Sequence, residues 1–373
     1  MAYPLPTDDE RKRLFRLIQQ SSSWTAWSYV GAHHKTFIDF VRVAFEDTQT
    51  NPPANERPLI DASDMSMLLN GYASFEAALT KLRQGDRSVF RFLGFGIGGA
   101  PYFWEAYRIV DTWIDGLPNG VNDGRGMEPR ARRVPLYPKI EVALQNLAQT
   151  WARIGFVLET RHTDLPAPIE RPTLADPSGI ACGAYIDYAT IPSANDLSEV
   201  PNPSDHLLVR TGESCPHYGI WEPVQMPLSK ALASLFRQPK FPSDHKFELD
   251  GCMNYLHQGT VVPTVSFEGD GPRGEGRPTT WRLLWKDDRY LDGEVPAEEA
   301  EYRFFVPHSE PTPPPPPPDK PQHKLLMSGE TATDSGVWAC ESDIHWRVNV
   351  KQGDILPIRS DGWLVGWIFV PPA

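Results

Sequence analysis

Three kinds of sequence pattern in this chain could do chemistry. The run GFGIGG (Gly94–Gly99) fits the spacing G-x-G-x-x-G. Glycines at that spacing let a backbone approach a pyrophosphate at a helix N-terminus. Pro101 follows at once, however, and the later DGLPNGVNDGRG reads as loop. No second strand then offers a carboxylate to a ribose, so a turn between helices or a close helix packing accounts for the run. The triplet Ser-Asp-His occurs at 204–206 and again at 243–245, with Asp343 and His345 in similar order. Asp and His neighbours can ligate a metal or orient an imidazole. Each triplet also follows a proline and precedes a strand-like run, where Asp and Ser commonly close turns. His33-His34 has no partner at ligand spacing and reads as a polar pair at a helix start. Cys182 and Cys215 lie among small or turn residues. A thiol nucleophile needs a base and an oxyanion site, and the sequence locates neither. Free cysteine most often serves as a small apolar side chain. No catalytic, cofactor-binding or metal-ligating residue is assigned.

The stretch KDDRYLDGEVPAEEAEY carries a different signal. Asp287, Asp288, Asp292, Glu294, Glu298, Glu299 and Glu301 fall beside Tyr290 and Tyr302. Acids interleaved with tyrosines suit an interface with a basic protein, because charge speeds encounter while aromatic rings supply anchor energy. We take Asp287, Asp288, Tyr290, Asp292, Glu294, Glu298, Glu299 and Glu301 as the candidate partner-binding set. A solvated loop joining two β copies fits the same pattern.

Those copies are written openly. GESCPHYGIW (Gly212–Trp221) and GETATDSGVW (Gly329–Trp338) share glycine, glutamate, glycine and tryptophan in the same four places. Upstream, His206 matches His323 and Leu207–Val209 matches Lys324–Leu326. A second box pairs QGTVVP (Gln258–Pro263) with QGDILP (Gln352–Pro357). A third pairs Trp281 and Trp285 with Trp363 and Trp367, both spaced by four. Shrinking offsets place two insertions in the first copy, one with the helix-like LSKALASLF and one with the Gly-rich EGDGPRGEGRP. A duplicated small β module is the economical reading. Catalysis would repeat reactive groups, yet Cys215 and His217 become Ala332 and Asp334. Turn glycines and core tryptophans recur instead. Gly212, Gly219, Trp221, Gly259, Trp281, Gly329, Gly336, Trp338, Gly353 and Trp363 are therefore expected to be scaffold.

Elements that would hold these groups fall into two grammars. Thr7 and Glu10 make a capping box, since hydroxyl and carboxylate can each satisfy an orphan backbone N–H. Apolar stripes at helical spacing follow at Leu14, Leu17 and Ile18; at Phe37, Val41, Ala44 and Phe45; and at Tyr72, Phe75, Leu79 and Leu82. Phe103, Tyr107, Val110 and Ile114 continue the series. A last helix opens near Pro138, runs through Ile140, Leu144, Leu147, Trp151 and Ile154, and meets a stop at Gly155. From about residue 162 short β-branched and aromatic runs alternate with turns. The expected fold is α+β, a helical bundle followed by a β-rich region with two module copies. Expected boundaries are 1–161 for the helical domain, 162–310 for the first β module with its insertions, 311–322 for a polyproline spacer and 323–373 for the second module.

The boxes SGE, SGVW, KQGDILP and WLVGW, with their first-copy partners, resemble bacterial polymorphic-toxin immunity proteins of the immunity protein 71/72 type. Such proteins are found beside toxins of contact-dependent or type VI secretion systems. The resemblance covers Leu207 to Val370 by motif and the N-terminal half by its helical character. The usual Cys-Pro after SGE survives only as Cys215-Pro216, with Ala332-Thr333 in the second copy. The resemblance implies a protein that binds one toxin and blocks it, not an enzyme.

Bulk properties agree with that expectation. Of 373 residues, 40% are hydrophobic and 23% charged, as in ordinary globular proteins. The N-terminus has Pro and acids where a signal peptide needs an apolar run, and four scattered cysteines make no zinc or disulfide pattern. A cytoplasmic protein is expected. Residues 1–175 carry 20 acidic and 20 basic side chains, whereas the remainder carries 28 and 16. The whole net charge of −12 thus sits in the C-terminal part, which repels nucleic acid and membrane surfaces and attracts basic partners. The expected partner is a basic, nuclease-like toxin domain acting in the cytoplasm, with no cofactor. Two alternatives remain: an effector-loading adaptor or chaperone, and a nucleotide-dependent oxidoreductase using Gly94–Gly99.

Overall fold

Helix α1 (Asp8–Ser21) begins with the capping box that the sequence announces. Glu10 N donates to Thr7 Oγ1 at 3.3 Å, and Thr7 N donates to Glu10 Oε2 at 2.6 Å. The computed structural model describes residues 5–50, 60, 62–91, 102–122, 136–158, 191–226, 241–265, 277–306, 325–340, 343–358 and 365–370. Gly94–Gly99, Cys182, LSKALASLF, most of the Gly-rich insertion, the polyproline run, His323 and Trp363 lie outside them.

Among the described residues four further α-helices follow: α2 (Trp24–Thr50), α3 (Ala62–Arg83), α4 (Phe103–Asn122) and α5 (Tyr137–Gly155). Their apolar stripes face one another as the spacing requires. Phe37, Val41, Ala44, Phe75, Leu82, Phe103, Val110, Leu147 and Trp151 are all buried. Trp27 anchors the bundle centre, stacked on Phe103 with centroids 4.1 Å apart and edge-on to Trp151 at 5.5 Å. The His33-His34 pair sits inside α2, not at a helix start. His34 is buried edge-on to Tyr72 and Phe75, so burial pushes its imidazole down to about 3 and keeps it neutral.

The chain then turns to antiparallel sheet. Strands β1 (Leu208–Arg210), β2 (Gly219–Gln225), β3 (Glu248–Leu249), β4 (Asn254–Leu256) and β5 (Thr280–Lys286) form one sheet in the order β1-β5-β2-β3, with β4 also beside β2. Strands β6 (Leu325–Met327), β7 (Gly336–Cys340), β8 (Asp343–Val350) and β9 (Gly366–Val370) form a second, ordered β6-β9-β7-β8. The chain divides into two compact units, Met1–Pro314 and Pro315–Ala373. The five helices and the first sheet belong to the larger unit, and the second sheet makes the smaller.

In the larger unit helices and sheet share one apolar core. Ile220, Tyr255 and Leu284 from the sheet join Leu14, Trp27, Phe90 and Trp151 from the helical part. Arg11 of α1 reaches across to Glu222 of β2, donating from Nε at 2.8 Å and Nη2 at 3.1 Å. Arg282 of β5 donates to the same carboxylate at 3.1 Å. Trp221, Trp281 and Val209 fill a separate core on the other side of this sheet.

The second sheet repeats the first in atomic detail. Trp221 donates its indole N–H to the carbonyl of His217, and Trp338 donates to that of Asp334, both at 3.2 Å. Cys215 N donates to Thr260 O and Ala332 N to Asp354 O, both at 2.8 Å. The repeated glutamate has a structural task that the sequence reading did not assign. Glu213 accepts from the backbone N–H of Arg210 at 2.8 Å, and Glu330 accepts from that of Met327 at 2.7 Å. Gly212 and Gly329 share φ values of 89° and 88°, closed to most residues bearing a Cβ. At Gly219 a Cβ would run into the Trp285 carbonyl oxygen.

One expected pairing is corrected. Val209 lies opposite Trp281, and its counterpart Leu326 lies opposite Trp367. Trp281 donates to Pro263 O at 3.0 Å, and Trp367 to the matching Pro357 O at 3.1 Å. Trp281 therefore corresponds to Trp367, not to Trp363. Two tryptophans spaced by four in both copies permit either alignment, and strand register selects one.

Candidate functional site

The acidic stretch after β5 divides into a buried half and an exposed half. Asp287 closes β5 with its side chain wholly enclosed. Its Oδ1 accepts from Arg87 Nη2 at 2.9 Å and from Arg289 Nε at 2.8 Å. Its Oδ2 accepts from Tyr255 OH at 2.9 Å and from Arg289 Nη2 at 2.8 Å. Arg289 also donates to the carbonyls of Gln19 and Ser22, at 2.9 and 3.0 Å. Those carbonyls belong to the end of α1, where C=O groups lack intrahelical partners.

Glu299 does the complementary work at the next helix start. Its Oε2 accepts from Thr25 N at 3.2 Å and Thr25 Oγ1 at 2.6 Å, so a carboxylate sits at the N-terminus of α2. Its Oε1 accepts from Tyr290 OH, which in turn accepts from Trp24 N at 2.6 Å. The segment 287–302 thus clasps the α1–α2 junction through paired buried charges.

Electrostatics follow from this enclosure. Burial alone would raise the Asp287 carboxyl, but the guanidiniums of Arg289 and Arg87 outweigh it and hold it well below the usual carboxylate range. Burial likewise opposes charge on Arg289, and the Asp287 carboxylate overcomes it. Burial drives Tyr290 well above its ordinary value, and it pushes Tyr302 up to about 12.

Three members of the candidate partner set, Asp287, Tyr290 and Glu299, are therefore interior residues. Asp288, Asp292, Glu294, Glu298 and Glu301 are exposed. Leu291, in the same stretch of chain, is 70% exposed and is the most exposed large apolar side chain among the described residues. Lys286 pairs with Asp288 at 2.9 Å, and Asp292 accepts from Glu294 N at 3.0 Å to close the turn. What this stretch leaves exposed is a set of five acids and one leucine, carried on a clasp fixed by buried ion pairs.

Two of the other candidate chemistries fall on described residues, and both resolve into packing. The two Ser-Asp-His turns meet around Phe241 and Phe247. His206 lies 5.1 Å from the Phe247 ring, and His245 stacks on Phe241 at 4.5 Å. Among the described residues no group of three or more His, Cys, Asp or Glu could hold a metal ion. Cys215 is buried in the first module's core, its sulfur donating to the His217 carbonyl at 3.2 Å. Burial pushes that thiol up to about 12, which leaves little thiolate at neutral pH. Ala332 takes the same place in the second module's core.

Fold and site define a class: a two-part α+β protein with a helical bundle docked on one β module and a second module following. Residues 5–168 match the family model Immunity protein 71, and residues 201–303 match Immunity protein 72. The first match takes in the five helices, and the second takes in the first sheet with its clasp. The chain is an immunity protein of the 71/72 type. No curated protein and no solved structure matches it. No described helix is long and apolar enough to cross a membrane.

Proposed function

We propose that this protein binds one cognate secreted toxin and neutralises it by direct contact, and that the toxin is a nuclease delivered by a type VI system and acting in the cytoplasm. The family matches support an immunity role with a toxin partner. The observation that carries the finer reading is the exposure of Asp288, Asp292, Glu294, Glu298 and Glu301 together with Leu291 in one short stretch. A nuclease groove must be cationic to hold phosphates, and exposed carboxylates can occupy the same positions. An exposed leucine in the same stretch supplies the apolar anchor that charge alone lacks. No catalytic step is assigned to this chain.

Two measurements test the reading. Co-expression with the toxin domain encoded by the adjacent gene should rescue growth, and calorimetry of the purified pair should show a complex at micromolar concentration or below. A chaperone would bind yet leave the toxin active, so rescue separates the two roles. Absence of both binding and rescue contradicts the proposal.

A further inference from the structure

Two classes of bond hold the first β module, and the second module keeps one of them. The kept class closes a module on itself. Gly212 N donates to Val262 O and Val262 N to Glu213 O, both at 2.9 Å. Gly329 N and Leu356 N make the matching bonds to Leu356 O and Glu330 O, at 2.8 and 2.9 Å. Trp221 and Trp281 fill one core and Trp338 and Trp367 the other, all four fully buried.

The other class ties the first module to the helices. Glu222 receives Arg11 of α1. Tyr255 donates to Asp287 at 2.9 Å, the carboxylate that also takes Arg87. His257 donates to the carbonyl of Leu158, just past α5, at 3.1 Å. Strand register puts Ala339 and Asn349 at the positions of Glu222 and Tyr255. The matched QG boxes put Lys351 at that of His257. Asn349 and Lys351 are exposed, and Ala339 has no side-chain group to accept a cation. The copies agree where a module closes on itself and differ where the first module meets helices. A unit as small as the second module also buries a lesser share of its surface, which lowers its stability.

We infer that the second module is an energetically separate attachment, opening on its own, and that the toxin contact lies within Met1–Pro314. The first part follows from which bonds the second copy keeps. The second part rests on the toxin-binding reading and says where in the chain that function resides. Both immunity-family matches, 5–168 and 201–303, fall inside the larger unit. The exposed acids with Leu291 fall there too.

Hydrogen exchange read by mass spectrometry on the full chain tests both parts, because peptides report the two units separately. In rising denaturant, wild-type peptides from 325–370 should lose protection first, and those from the helices and the first sheet should lose theirs later and together. W338A empties the second core and should speed exchange there about a hundredfold, with the larger unit unchanged. Wild type saturated with an inactivated toxin domain from the adjacent gene should gain protection in the larger unit alone, and W338A should bind that domain with unchanged affinity. Neither wild-type measurement depends on the variant staying soluble. Loss of protection in both units at one denaturant concentration overturns the separation. Toxin-induced protection within 325–370, or binding about tenfold weaker in W338A, overturns the localisation while leaving the toxin-binding function intact. No toxin binding by wild type in calorimetry overturns that function and the localisation together, and the denaturant series still decides the separation.

Discussion

Arg87 and Asp287 are 200 positions apart in sequence and 2.9 Å apart in space, with side chains 1% and 0% exposed. One comes from a short 3-10 turn after α3 and the other from the end of β5. A buried ion pair bridging two elements in this way makes bundle and sheet depend on each other for folding. Removing one partner of such a pair costs about 3–5 kcal/mol, because the other stays buried and uncompensated. Asp287→Asn should therefore lower the denaturant midpoint strongly, and both helical and near-ultraviolet signals should melt together. A separate, unshifted helical transition would contradict the shared core.

Acid sensitivity has a source in two buried histidines. Burial pushes His34 down to about 3 and His257 down to about 4, against an ordinary value of 6.5. The unfolded chain takes up these protons first as pH falls, so stability drops between about pH 6.5 and pH 4. Denaturant midpoints measured at pH 7 and pH 5 should differ, with the wild type weaker at pH 5. His34→Leu should flatten part of that slope. An unchanged slope would mean that the imidazole is not desolvated.

The paired glycines should separate by mechanism. Gly219→Ala drives a Cβ into the Trp285 carbonyl oxygen, and a clash with backbone should cost more than about 2 kcal/mol. Gly212 has φ 89° with open space around it, so Gly212→Ala should cost only about 1 kcal/mol of conformational strain. Thermal melts of the two variants give the ordering, and a larger loss at Gly212 would contradict it.

Cys215 should prove inert. Native-state alkylation should spare it, and Cys215→Ala should leave toxin affinity unchanged, since the second copy carries Ala332 at that position. A loss of protection in that variant would restore a chemical role for the thiol.

Much of this architecture was legible from periodicity. Leu14, Leu17 and Ile18, and the run from Ile140 to Ile154, announced helix faces that the structure buries. The matched Gly-Glu and Gly-Trp boxes announced a repeated module because turn and core requirements act locally. Two things depended on contacts across the chain. Strand register decided which tryptophan answers Trp281. The acidic count could not show that Asp287 and Glu299 are interior, because the groups that neutralise them include Arg87 and Thr25 from the helical part. The spacing of Asp287 and Arg289 was the one local hint, since opposite charges two residues apart in a turn are close enough to pair, as they do at 2.8 Å.

The central claim is that the exposed acids after β5 meet a cationic toxin surface. The most direct measurement is stopped-flow association of the full chain with the inactivated toxin domain over a salt series, for wild type and for a variant with Asp288, Asp292, Glu294, Glu298 and Glu301 changed to lysine. Wild type should associate fast and with strong salt sensitivity, and the charge-reversed variant should associate more slowly and lose that salt dependence. Equal rates and equal salt dependence in the two proteins would contradict it.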